Sequence, residues 1–282
     1  MNRFKDNRFF SFLAILVIYA LAIWLGIAVY RSLTFVYWLN LLLADIAATV
    51  FVFLFSLLFQ NASVYDPYWS VQPVAILIAF ALDRQLTPIG ILLLIVVWIW
   101  GLRLTANWAL TFYGLNHQDW RYTMLHEQSG ALYPIVSFFG IHLVPTLIVY
   151  ACTMPAVVVF VRGAQWRWQS LPFILLSFAA TVLQGTADWQ LHRFRDAQSG
   201  GFIRTGLWKH SRHPNYLGEI LMWWGIGLAS VTTLQGDWYL LFGAIVNTLL
   251  FLFVSIPMAD RHQARKPGFE EYKEETHALR LW

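Results

Sequence analysis

Long stretches of this chain carry almost no charge, and that limits its fold more than any other feature. Apolar runs extend over about Phe9 to Tyr30, Phe35 to Phe59, Tyr68 to Leu82, Ile89 to Gly114, Tyr133 to Val161, Leu171 to Ala187, Glu219 to Leu234 and Trp238 to Ile256. Most approach the roughly 20 residues with which an α-helix crosses a hydrocarbon core; the third is the shortest. With 59% hydrophobic and only 12% charged residues, the composition lies outside the range of soluble domains. The expected fold is an all-α integral membrane protein, a polytopic bundle of seven to eight transmembrane helices.

The first run follows a basic start (Arg3, Lys5, Arg8) and is too long for a signal-peptide core, so it reads as a retained helix. Cys152 is the only cysteine, which rules out an intrachain disulfide and a cysteine cluster for zinc, and no metal site is expected. With eight crossings and a cytoplasmic N-terminus, fourteen Lys and Arg fall on the cytoplasmic side and four (Arg31, Arg84, Arg162, Arg167) on the other, with Arg103 inside a helix. The positive-inside rule favours that orientation, with both termini cytoplasmic. The net charge of +4 therefore reflects topology, and no basic segment carries a nucleic-acid motif.

There is no internal repeat and no linker, so a single domain is expected over residues 1–282. The long polar segments, residues 115–132, 188–218 and 257–282, are all assigned to the cytoplasmic side, where a soluble ligand would be met. The sequon at Asn61 falls on that same side and carries little weight. Tryptophans near span ends, such as Trp69, Trp120, Trp166, Trp168 and Trp238, read as interfacial anchors.

Four places carry candidate chemistry. Asp188, His192 and Arg195 share one helical face beyond the sixth span, either as a polar helix end or as a site. In Lys209-His-Ser-Arg212-His213-Pro214-Asn215-Tyr216, Pro214 suits the first turn of a helix, whose free N–H groups and dipole beside Arg212, Lys209 and His213 offer a seat for phosphate. Asn215 and Glu219 follow on one face, an amide and a carboxylate able to meet a sugar hydroxyl or carboxamide. Arg103, with Asn107 one turn on, is a charge inside the fourth span, a placement that costs roughly 2.5 to 3.5 kcal/mol on insertion scales. Asp66, in Ser-Val-Tyr65-Asp66-Pro67-Tyr68-Trp, is either a helix cap or a carboxyl whose aromatic surroundings raise its pKa enough to donate a proton. Asp45, in the second span, has no partner evident from sequence and is structural or proton-accessible.

Taken together, Ser-Arg212-His213-Pro214-Asn215-Tyr216-Leu-Gly218-Glu219, the Asp188 to Arg195 segment and the tail Asp260-Arg261-His262 followed by Lys266-Pro-Gly-Phe-Glu-Glu-Tyr272 resemble the C-terminal half of the steroid 5α-reductase and sterol C14/C24-reductase superfamily. The whole chain is similar to its bacterial branch known as DUF1295. The resemblance implies an NADPH-dependent enzyme that reduces a carbon–carbon double bond of a lipophilic enone. It implies a bacterial inner membrane and a cytoplasm-facing cofactor cavity in about residues 100–282. Carried across, Asp188, Arg195, Arg212, His213, Asn215, Tyr216, Glu219, Arg103 with Asn107, and Arg261 match cofactor-pocket positions. Asp66 falls where the steroid reductases place a glutamate that holds the substrate ketone. Those enzymes pair it with a tyrosine whose place is Trp100 here, leaving Tyr65 or Tyr68 as the donor. A fainter likeness to isoprenylcysteine carboxyl methyltransferases would imply S-adenosylmethionine; Asn215 and Glu219 favour the reductase. A transporter or membrane scaffold, with Asp45, Arg103 and Glu219 lining a polar path, is the non-enzymatic alternative.

Overall fold

The computed structural model describes residues 5–197 and 201–280. Arg3, part of the basic start, and the last two residues lie outside them. The described residues are mostly helical, with connecting loops, and their one β feature is an isolated parallel bridge between Ser211 and His277.

The main helices are α1 (Arg8–Ser32), α2 (Tyr37–Phe59), α3 (Tyr68–Leu82), α4 (Pro88–Thr111), α5 (Trp120–Ser129), α6 (residues 133–162), α7 (Leu171–Ala197), α8 (Pro214–Leu234), α9 (residues 242–263) and α10 (Phe269–Glu275). Among the described residues, seven helical segments are long and apolar enough to cross a membrane, so the chain is a membrane protein. The expected third span is not one of them. Helix α3 has 15 residues, about 22 Å of rise against a core about 30 Å thick, and contains Pro73.

Two long helices change their winding midway. Ser137–Leu143 within α6 and Phe251–Ser255 within α9 are π-helical. Such segments insert a residue into the helical repeat, turn the side chains that follow, and recur at functional sites.

The chain divides into two compact units. The first comprises residues 1–78 and 101–150, the second residues 79–100 and 151–282. In the first, α1 packs along α2, and a short 3-10 turn, Ala62–Tyr65, lies against α2 and the π-helical part of α6. Ile15, Ile18, Val52, Val64, Phe112 and Ile141 form its apolar core, together with several tyrosines. In the second, α7 and α8 make the most extensive packing. Glycines allow their approach: a Cβ on Gly218 would stand 2.7 Å from the Ala180 carbonyl oxygen, and one on Gly225 2.7 Å from that of Phe173. Without a hydrophobic force between helices in lipid, such backbone-level contact is a main source of helix pairing.

Candidate functional site

In the second unit α8 starts at Pro214, as the sequence predicts, with His213 as its cap residue. The motif before it is tied to the tail. The Arg212 guanidinium meets Asp260 on α9, Nη2 donating to Oδ2 at 3.1 Å, while Nη1 donates to the carbonyls of Lys273 (3.0 Å) and Thr276. His213 Nε2 and Asp260 Oδ1 are hydrogen-bonded at 2.8 Å. The backbone repeats the attachment: Arg212 N–H donates to the His277 carbonyl at 2.9 Å and His213 N–H to that of Ala278 at 3.1 Å. Arg212 and Asp260 are about nine-tenths buried as side chains, so this is a strong clasp. Arg212 and His213 were expected to meet phosphate; here they bind the tail.

Beyond the clasp the motif turns toward α7. Asn215 Nδ2 donates to Asp188 Oδ1 at 3.2 Å, joining two of the expected pocket residues. The Tyr216 ring stacks on His213, centroids 5.0 Å apart and nearly parallel, and touches Phe251 in the π-helical part of α9 at 4.8 Å. One turn on, the Glu219 carboxylate accepts from three directions: Trp223 Nε1 to Oε1 at 2.7 Å, Trp100 Nε1 to Oε2 at 2.8 Å, and Gln184 Nε2 to Oε2. The two indoles stand edge to face at 4.9 Å. Trp100 thus has a task of its own, holding Glu219. Arg195, at the end of α7, and Arg261, beside Asp260, are exposed.

Arg103 and Asn107 lie in the part of α4 that belongs to the first unit, as do the other candidates. There the loop of residues 60–67 is pinned to residues 115–119. Asn61 Nδ2 donates to the Leu115 carbonyl at 2.8 Å, Gln118 Oε1 accepts from Ala62 N–H at 3.0 Å, and Ser63 Oγ accepts from Asp119 N–H at 3.0 Å. Asp66 closes the 3-10 turn, and its Oδ1 accepts from Tyr122 Oη on α5 at 2.6 Å. Burial raises the Asp66 carboxyl to about 7, outweighing the Arg121 guanidinium nearby and the Tyr122 hydrogen bond, both of which pull it down. A shift in that direction is what its aromatic flanks suggest. Arg121 itself is paired with Asp119 through two bonds of 2.8 and 3.0 Å.

Tyr65 and Tyr68 are 1% and 5% exposed and stack on each other at 5.1 Å. Their hydroxyls point inward. Tyr65 Oη bonds Thr146 Oγ1 at 2.8 Å, and Tyr68 Oη donates to Asp45 Oδ1 at 2.8 Å. Asp45 also accepts from Gln72 Nε2, so the carboxylate that lacked a partner in the sequence has two. The phenol beside Asp66 is therefore Tyr122, not Tyr65 or Tyr68.

Sequence reasoning missed Tyr122, Asp260, Gln184 and the π-helical segments. Asp260 was visible as the first residue of the quoted tail pattern. Tyr122 lies 56 residues from Asp66 and had no local signal beyond its place in a polar segment.

An uncharacterized protein of Schizosaccharomyces pombe (strain 972) is 24% identical over an alignment of 196 positions covering 58% of this chain. That alignment takes in 56% of the relative, so the match spans about half its length. No solved structure matches. The family described as "Protein of unknown function (DUF1295)" matches residues 52–276, which include both the Asp66 pair and the Arg212 clasp, and the chain belongs to that family.

Proposed function

We propose that the protein is a membrane oxidoreductase that reduces a carbon–carbon double bond conjugated to a carbonyl in a lipophilic, steroid- or isoprenoid-like substrate, using NADPH. The observation that carries this reading is the Asp66–Tyr122 pair. An acid and a phenol in contact and buried resemble the acid–tyrosine pairing that the likeness to the steroid reductases implies, with the phenol supplied by α5. A carboxyl raised to about 7 holds a proton near neutrality and can give it to a carbonyl oxygen as enolate charge develops. Tyr122 orients that carboxyl through its hydrogen bond to Oδ1.

The residues of the second unit fit a dinucleotide. Exposed Arg195 and Arg261 suit phosphate, and Asp188, Asn215 and Glu219 suit ribose hydroxyls and a carboxamide. Arg212 and His213, bonded to Asp260 and the tail, shape this face. When bound, NADPH supplies the hydride for the β-carbon; the chain contributes placement, exclusion of water and the proton. We further infer a bacterial inner membrane with the basic segments in the cytoplasm. Termini on one side need an even number of crossings, which seven long segments supply only if α3 completes one more.

Titration of purified protein with NADPH, NADH and S-adenosylmethionine tests the reading. Saturable NADPH binding, weakened in Asn215→Ala, is the expected result. Saturable binding of S-adenosylmethionine alone would turn the assignment to a methyltransferase.

A further inference from the structure

The turn that carries Asp66 is joined to the segment before α5 through one buried amide. Asn61 is 3% exposed and caps the 3-10 turn, its Oδ1 accepting from Ser63 N–H at 2.8 Å. Its Nδ2 donates to two carbonyls of the other segment, Leu115 at 2.8 Å and His117 at 3.0 Å. Both amide protons and the amide oxygen are thus engaged; aspartate would lack the two donors, and glutamine is one methylene too long for the cap. From the other side, Gln118 Oε1 accepts from Ala62 N–H at 3.0 Å, and Asp119 N–H donates to Ser63 Oγ at 3.0 Å. Leu115 is fixed in turn, its N–H donating at 3.2 Å to Ser11 Oγ, a fully buried residue of α1.

Both sides of this joint lead to the acid–phenol pair. Asp66 N–H donates to the Ser63 carbonyl at 3.2 Å, so the cap that orients Ser63 also orients Asp66. On the other segment Asp119 caps α5, its Oδ1 accepting from Arg121 N–H at 2.9 Å, and Tyr122 follows within the first turn. Acid and phenol come from positions 56 residues apart, and their contact at 2.6 Å depends on the register of the two segments. Loss of the Asn61 amide would strip partners from two carbonyls and from Ser63 N–H, groups that then draw in water. The same residues form the sequon Asn61-Ala62-Ser63. Its asparagine and serine are 3% and 4% exposed and wholly engaged, so the pattern is a joint within the fold and not an open acceptor of a glycan.

We propose that Asn61, with Gln118 opposite it, positions the Asp66–Tyr122 pair, locking the turn to the start of α5 so that acid and phenol stay in contact and shielded from water. Their part in turnover rests on the reductase reading; their part in shielding the acid does not. Both act through Asp66 and are positioning residues. The titratable groups that face Asp66 are Arg121, Asp119 and Tyr122 from the start of α5, Tyr65 from its own turn and Tyr19 from α1, with His117 acting on Asp119.

Infrared titration of the full-length protein in lipid nanodiscs tests this, following the carboxylic-acid band that Asp66→Asn removes. In the wild type the band should lose half its intensity at about pH 7. In Asn61→Ala the midpoint should fall by about one pH unit, because water entering the joint relieves the burial that raises it. Gln118→Met keeps Asn61 in place, is the milder change, and should move the midpoint the same way by less. An unmoved midpoint in either variant, purified in folded form, would overturn the proposal, as would a wild-type midpoint near 3.8. With an enone substrate, Asn61→Ala should lower kcat about tenfold with KM unchanged, and the decline of turnover with pH should shift down together with the infrared midpoint. A loss of kcat without that shift would make Asn61 a structural support only and overturn its positioning role. No reduction of any enone, beside a shifted midpoint, would remove the reductase reading and leave the joint standing.

Discussion

Asp66 in the first unit and the carboxyls Asp260 and Glu219 in the second are held in opposite ways. In the second, Asp260 is met by Arg212 and His213 and Glu219 by two indoles and an amide, so every carboxylate oxygen is spent on fixed donors. In the first, Asp66 has one phenol, and burial prevails over its neighbours. The same functional group is a fixed acceptor where donors converge, and burial favours its protonated form where a single phenol meets it. On the proposed reading the contrast would separate binding from chemistry, with fixed acceptors on the face offered to a nucleotide and a single-donor acid at the site of proton delivery.

Each side of the contrast can be broken. Asp66→Asn keeps the shape and removes the proton, so turnover should fall by about a thousandfold with nucleotide affinity unchanged, as steady-state kinetics and a binding titration would show together. Arg212→Met leaves Asp260 with half its partners and releases the tail carbonyls; removing one side of such a buried pair costs about 3 kcal/mol, readable as a lower thermal midpoint in detergent. Glu219→Gln has one acceptor oxygen for three donors and should weaken NADPH binding about tenfold while sparing the fold.

The smallest effects are on pH. Turnover that needs the Asp66 proton should decline as pH rises through about 7, and Tyr122→Phe, lacking a hydrogen bond that lowers the carboxyl, should move that midpoint upward. Stability has the same sign. The folded carboxyl keeps its proton where the unfolded chain has lost it, so its contribution is full below 3.8 and is lost as pH rises toward about 7. A thermal midpoint independent of pH across that window would show Asp66 to be ordinarily solvated.

Much of this was legible in the sequence, because a membrane helix declares itself through local composition. The start of α8 at Pro214 and the place of Asp66 at a helix entrance follow from residues within a turn or two. The partners do not. Trp100 and Glu219 are separated by 119 residues, Arg212 and Asp260 by 48, and no local pattern ties either pair. Arg212 shows the limit best: a basic residue at a helix mouth suits phosphate on local grounds, yet a carboxylate and the tail carbonyls claim it first. Asp45 shows the converse, since its partners Tyr68 and Gln72 lie on a helix that starts only after the turn carrying Asp66.

The glycines between α7 and α8 have a mechanical consequence. Gly218 and Gly225 sit seven residues apart, two turns along one face, and each rests on a main-chain carbonyl of α7. Two backbone-level contacts on one line resist both sliding and rocking between the helices. Glu219, one residue past the first contact, is also bonded to Gln184 on the opposite helix, which ties its position to both helices. A methyl group at Gly225, which would stand 2.7 Å from the Phe173 carbonyl oxygen, would force the two helices apart and so disturb the Glu219–Gln184 contact from nearly two turns away.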